Sequence, residues 1–130
     1  MEISSWHETG QAPVTVLQLK GDLTSEEPLQ GKAQAVFQEG ARNIVLDLSQ
    51  VPYISSAGLR AIHVVYMLLR SADPTDEETA TRGIARGTYK SPHLMLVNPT
   101  KNGLKALTTA GYDIFLDIHG SIPAAVASFR

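Results

Sequence analysis

Between residues 44 and 70 the spacing of apolar residues changes period, and few folds accommodate the change. Ile44-Val45-Leu46-Asp47-Leu48 is a near-continuous apolar run of strand length. Such a run fits a central strand buried on both faces better than an edge. Arg60 to Arg70 reads instead as a helix. Ala61, Ile62, Val64, Val65, Tyr66, Met67, Leu68 and Leu69 leave it little polar surface. Arg60, His63, Met67 and Arg70 fall on one narrow stripe that looks outward. Ser49 to Leu59 joins the two as a short polar loop, so a buried strand hands over to a mostly enclosed helix. Ser55 and Ser56 stand where the helix start exposes free backbone N–H groups, a place suited to a phosphate or an acidic partner group.

The flanking segments repeat the alternation. Met1 to His7 reads as a first strand, with Ile3 and Trp6 as its apolar members. Gly10-Gln11-Ala12-Pro13 is turn chemistry. Val14 to Leu19 reads as a second strand, with Val14, Val16 and Gln18 on one side and Thr15, Leu17 and Leu19 on the other. The two should pair as an antiparallel hairpin at one sheet edge. Thr24 and Glu27 fit a capping box for a helix running to about Glu39, with Leu29, Ala33, Val36 and Phe37 on its inner face and Gly40 to end it. His93 to Val97 is a further strand. Asn98 and Pro99 open a helix lined by Leu104 and Leu107, with Gly111 at its end. Ile114 to Ile118 reads as a last strand, and Ser121 caps a final helix with Ile122, Val126 and Phe129 inward. The expected order is β-β-α-β-α-β-α-β-α: an α/β fold with five strands in a mostly parallel, mixed sheet and four helices. Residues 1–130 form one domain on this reading. The segment from about 71 to 91 interrupts the pattern. Asp73-Pro74-Thr75-Asp76-Glu77-Glu78 is acidic and turn-rich and Arg82-Gly83-Ile84-Ala85-Arg86-Gly87 basic and glycine-rich, so it reads as an inserted, exposed loop.

Composition closes off several classes of function. The formal net charge is −2, which gives no field to gather nucleic acid. The chain has no cysteine, which removes disulfides, thiolate catalysis and thiolate-bound metal. No apolar run approaches the roughly 20 residues that span a bilayer, and Met1 to Trp6 has no signal-peptide character. Membrane insertion is therefore not expected, and the cytoplasm is the expected setting. Charged residues make up only 18%, below the usual quarter, which favours a surface built for protein partners.

No catalytic constellation emerges. His63 lies one turn past the serines, but no carboxylate sits at helical spacing to orient it, so it reads as a surface or interface histidine. His7, His93 and His119 are scattered without metal-ligand spacing, and no metal or cofactor is expected. Asp47, at a strand end, reads as an acceptor for backbone N–H groups of the following turn. The glycines and basic residues from Arg82 to Lys90 lack the strand–loop–helix setting of a nucleotide loop, so nucleotide binding there is a minor option.

Three stretches in this order resemble the STAS domain family, named for sulfate transporters and anti-sigma factor antagonists: Gly21-Asp22-Leu23-Thr24, then Asp47-Leu48-Ser49 through Tyr53-Ile54-Ser55-Ser56-Ala57-Gly58-Leu59, then Leu96-Val97-Asn98-Pro99. The resemblance covers nearly the whole chain and is to the stand-alone antagonist type. It implies a non-enzymatic module that switches partners: the unphosphorylated protein binds an anti-sigma factor that is usually also a serine kinase, and phosphorylation at the loop–helix junction breaks the complex. It implies a contact surface from Asp22, Thr24, Ser55, Ser56, Ala57, Gly58, Arg60, His63 and Met67, and leaves a homodimer open. The chain departs from the family at the acceptor. Regulated members carry Asp-Ser-Ser-Gly or Asp-Ser-Thr-Gly, and the matching residues here are Ser55-Ser56-Ala57-Gly58. Ala57 has no hydroxyl. Ser56 is a shifted acceptor, or else Ser55 or Ser56 serves only as a helix cap and the chain is a constitutive scaffold subunit of a signalling or transporter-associated complex.

Overall fold

The computed structural model describes residues 1–86 and 89–129. Five strands form one sheet in sequence order: β1 (Glu2–Thr9), β2 (Pro13–Lys20), β3 (Ile44–Gln50), β4 (Leu94–Val97) and β5 (Asp117–His119). β1 and β2 are the expected antiparallel hairpin, and β2 to β5 are parallel neighbours. The period-two alternation separates two cores. Leu17, Leu19, Ile44, Leu46, Leu48, Leu94 and Leu96 face one side. Val14, Val16, Val45, Met95 and Val97 face the other. The first side is covered by α1 (Glu27–Gln38), α2 (Ser56–Ser71), α3 (Pro74–Arg86), α4 (Lys101–Thr109) and α5 (Tyr112–Phe115), and the second by α6 (Ile122–Ser128) with Phe129. β3, buried from Ile44 to Leu48, is the middle strand, as its near-continuous apolar run requires.

Among the described residues six helices replace the expected four, and the largest correction is α3. The stretch expected as an exposed loop is helical from Pro74 to Arg86; Gly87 and Thr88 lie outside the described residues. Asp73 starts the helix: its Oδ1 accepts the N–H groups of Thr75 (3.0 Å) and Asp76 (3.3 Å), with Pro74 in the first turn. The inward seam is Asp76, Ala80 and Gly83, one turn apart but without a large apolar residue, so no hydrophobic stripe announces it. Asp76 is buried and accepts a hydrogen bond from the Tyr89 hydroxyl at 2.8 Å. Burial pushes its carboxyl above the usual range, and the Tyr89 bond opposes that. A Cβ on Gly83 would lie 2.7 Å from that of Tyr89, so glycine lets the helix seat. His93 ties the helix start to the sheet, its ring 2.7 Å from Asp73 Oδ2 and 2.8 Å from Asn43 Oδ1.

The smaller corrections concern helix ends. Thr24 and Glu27 form no capping box: α1 begins at Glu27 behind Glu26, without a side-chain cap. Its C-terminus is as expected. Gly40 has φ +111°, and the N–H groups of Gly40 and Ala41 return to the carbonyls of Phe37 and Val36. α4 is capped by Thr100, whose hydroxyl accepts the Gly103 N–H at 3.1 Å, while Asn98 sits at φ +50° ahead of it. Ile114 and Phe115 belong to α5, and the last strand is only Asp117–His119. Ser121 caps α6 as expected, accepting the Ala124 N–H.

Candidate docking site

The site begins with an isolated bridge. After β2 the chain turns at Gly21, and Leu23 pairs with Ile54 ahead of α2. The Leu23 N–H donates to the Tyr53 carbonyl (2.9 Å) and the Ser55 N–H to the Leu23 carbonyl (3.0 Å). Leu23 is fully buried beneath. This clip draws Asp22 and Thr24, both exposed, to the junction where α2 begins. Asp47, at 3% exposure, steadies the loop from behind: Oδ1 accepts the Ser49 N–H and Oδ2 the Gln18 amide, both at 3.0 Å. It is a structural acceptor, as its place at the strand end suggested.

Ser55 caps α2. Its hydroxyl accepts the Gly58 N–H at 3.2 Å and lies 3.4 Å from the Leu23 carbonyl, to which it donates. That hydroxyl is committed to the fold. Gly58 has a steric reason: a Cβ there would stand 2.1 Å from the Leu23 carbonyl oxygen. Ser56 is the first helical residue and is exposed, whereas Ala57 is half-buried. Among the described residues, the N–H groups of Ser56 and Ala57 find no protein acceptor, and the first turn holds no acidic side chain. The partial positive charge of the helix start is therefore presented to solvent.

Around this end lie the other contact residues. Arg60 is exposed, but its Nε donates to Glu26 at 2.8 Å, a surface pair of the kind worth under about 1 kcal/mol and readily exchanged for another acid. His63 is exposed on the rim of an aromatic cluster, 5.7 Å from the Tyr66 ring, with no hydrogen-bonded carboxylate among the described residues. Met67, 38% exposed, borders a shallow groove between α1 and α2 that also takes in Gln30, Gln34 and Leu68. Arg70 does not belong to the outward stripe. Its side chain is only 15% exposed, paired with Glu77 at 3.2 Å and donating to the Tyr66 hydroxyl at 3.3 Å. α3 covers that end of α2, which the loop expectation could not foresee.

Two features escaped the sequence reading. Tyr53 is 52% exposed beside the serines and lines a groove of about 540 Å³ with Ser55, Ser56, Leu59 and, from α4, Asn102 and Lys105. Nothing local marks Lys105 or Asn102, because only the packing of α4 beside α2 brings them there. Tyr53 could have been singled out as an aromatic residue in a polar loop, a type favoured at interfaces. Among the described residues no cluster could hold a metal ion, and no helix is long and apolar enough to cross a membrane.

A buried parallel strand, a clipped junction and a bare helix start in this sheet order define a STAS-type domain. Residues 6–75 match the family model described as Mlab, STAS domain, and the chain belongs to the STAS domain family. Among its relatives is BtrV of Bordetella bronchiseptica, assigned as an anti-sigma factor antagonist, which is 30% identical over 65% of this chain and 72% of that protein. The fold is shared with an anti-sigma factor antagonist from Mycobacterium paratuberculosis, at 18% identity over 99% of this chain and 95% of that one, with a TM-score of 0.67. It is shared also with the antagonist SpoIIAA in its unphosphorylated form, at 15% identity over 93% and 92% of the two chains and a TM-score of 0.55.

Proposed function

We propose that this chain acts as one cytoplasmic, non-catalytic docking domain, an anti-sigma factor antagonist that binds a serine-kinase-like anti-sigma factor. The observation that carries the reading is the bare start of α2. Two N–H groups and an exposed hydroxyl sit on a buried frame, ringed by Asp22, Thr24, Tyr53 and, further along the helix, His63 and Met67. Such a surface suits a partner that brings an acidic group to the helix end and an apolar patch to Met67. The names carried by BtrV and the two solved structures support the same role.

Regulation follows from which hydroxyl is free. Ala57 can accept no phosphate and Ser55 is held by Leu23 and Gly58, so Ser56 is the acceptor at this junction if the partner is a kinase. A phosphate there would add about −1.5 to −2 charge to the contact surface, tolerated by the helix start but opposed to an acidic partner group. Calorimetric titration with a kinase-like anti-sigma factor from the same genome tests the docking. A one-to-one complex weakened about tenfold or more by Met67→Glu is expected. Absence of a complex, or indifference to Met67→Glu, would remove the reading. Incorporation of phosphate from ATP into wild type but not Ser56→Ala would establish the switch. Binding without any incorporation would favour the constitutive scaffold to which Ala57 points.

A further inference from the structure

On the flank of α2 away from the α1 groove is a cavity of about 380 Å³ that shares only His63 with the docking surface. Its walls come from separate parts of the chain: Tyr66 and Arg70 from α2, Tyr89 from the stretch after α3, and Phe115, Ile114 and Gly111 around α5. Three rings frame it. Tyr66 lies 5.0 Å from Phe115 and 6.2 Å from Tyr89, centre to centre, tilted against each. Ile114, 60% exposed, hangs at the rim over the tight turn that Gly111 makes at φ +79°. The size lies within the usual range for small-ligand sites, about 300–1,000 Å³, and the composition is the usual one too: mostly aromatic walls with few polar groups.

The polar group here is Arg70. A guanidinium has five N–H donors. One goes to the Tyr66 hydroxyl, and Nε stands 3.2 Å from Glu77 without hydrogen-bond alignment. The planar fork therefore keeps donors for a carboxylate, its best-matched acceptor. His63 adds a ring nitrogen at the mouth. Glu77, on the outer side of Arg70, is the acid a ligand carboxylate would compete with. The Tyr89 hydroxyl does not compete, since it is turned away to Asp76, and that of Tyr66 holds only one Arg70 donor.

We propose that this cavity binds a small monocarboxylate bearing one aromatic ring, with the ring among Tyr66, Tyr89 and Phe115 and the carboxylate on Arg70. His63 belongs to both the cavity and the docking face, so occupancy would be felt at the partner surface. That consequence rests on the docking reading, whereas the binding itself is measured on the isolated chain, so the two fail separately.

Ligand-observed NMR with 3-phenylpropionate, its neutral amide and octanoate tests the site, with each variant's folding checked by circular dichroism. One-to-one binding of the acid about tenfold tighter than the amide is expected, because the amide forfeits the charged hydrogen bonds. Arg70→Gln should bring the acid and amide affinities together, and Glu77→Gln should tighten the acid alone. Ala110→Trp, an exposed position on the cavity wall, should abolish binding of both without touching the core. No binding of the acid, equal affinity of acid and amide in the wild type, or undiminished binding to Ala110→Trp would each overturn the proposal. Octanoate bound as tightly as 3-phenylpropionate would overturn the aromatic assignment.

Discussion

Replacing Gly58 by alanine puts one methyl group where the Leu23 carbonyl already is. The added Cβ would lie 2.1 Å from that oxygen and 2.9 Å from Leu23 Cγ, so the bridge or the helix start must retreat by about an ångström. Retreat breaks the two backbone hydrogen bonds between Leu23 and the Tyr53–Ser55 segment, at about 1 kcal/mol each. It also lifts part of the Leu23 side chain out of the core, for about 1–2 kcal/mol more. Against this stands the helix-forming advantage of alanine over glycine, about 1 kcal/mol. The balance is a loss of about 2–3 kcal/mol. Gly31 supplies the control. It lies inside α1 with nothing within 4 Å of an added Cβ, so the same substitution there should stabilise by about 0.5–1 kcal/mol. Urea unfolding followed by circular dichroism gives both values, and amide exchange at Leu23 and Ser55 locates the damage in Gly58→Ala. If Gly58→Ala were as stable as wild type, or if both glycines responded alike, the close approach at the junction would not be what demands glycine.

Three further outcomes are expected. Ser55→Ala removes the cap of α2 and should cost about 1 kcal/mol in urea unfolding, while Ser56→Ala, whose hydroxyl is exposed, should change stability by less than about 0.5 kcal/mol. Met67→Glu should leave the unfolding midpoint unchanged while weakening the docking, which separates an interface residue from a core one. The hydrogen bond to His93, aided by the Asp76 N–H, holds the Asp73 carboxyl below the usual carboxylate range. Its folded value lies below its unfolded one, so its stabilisation is complete above about pH 4 and is lost as pH falls through the lowered value. Amide exchange should therefore show α3 loosening on acidification before the sheet does, and Asp73→Asn should abolish that step. Equal protection of α3 at both pH extremes would contradict it.

The fold and the junction were legible to different depths. Ile44 to Leu48 announced the middle strand because burial on both faces leaves one polar position in the run, Asp47, whose carboxylate is hydrogen-bonded. Leu17 and Leu19 against Val14 and Val16 announced two cores by simple alternation. The Ser55 cap and the Gly40 stop are local chemistry, readable from adjacent residues. Thr24 and Asn98 misled for the same reason that Ser55 did not: many residues could cap a nearby helix, and packing selects among them. Arg70 followed the helical stripe of His63 and Met67 in sequence but sits beneath α3 in space.

The period of the apolar residues determined the strands, most helices and the place where a buried strand meets an enclosed helix, because each side chain's face follows from its spacing along one element. The structure alone decided that α3 exists, since its seam of Asp76, Ala80 and Gly83 fits against Tyr89 by being small and hydrogen-bonded rather than apolar. It alone decided why residue 58 must be glycine, and that Tyr66, Tyr89 and Phe115 enclose a cavity beside Arg70. These depend on atoms brought together from distant parts of the chain, and the spacing within one element carries no information about what packs against it.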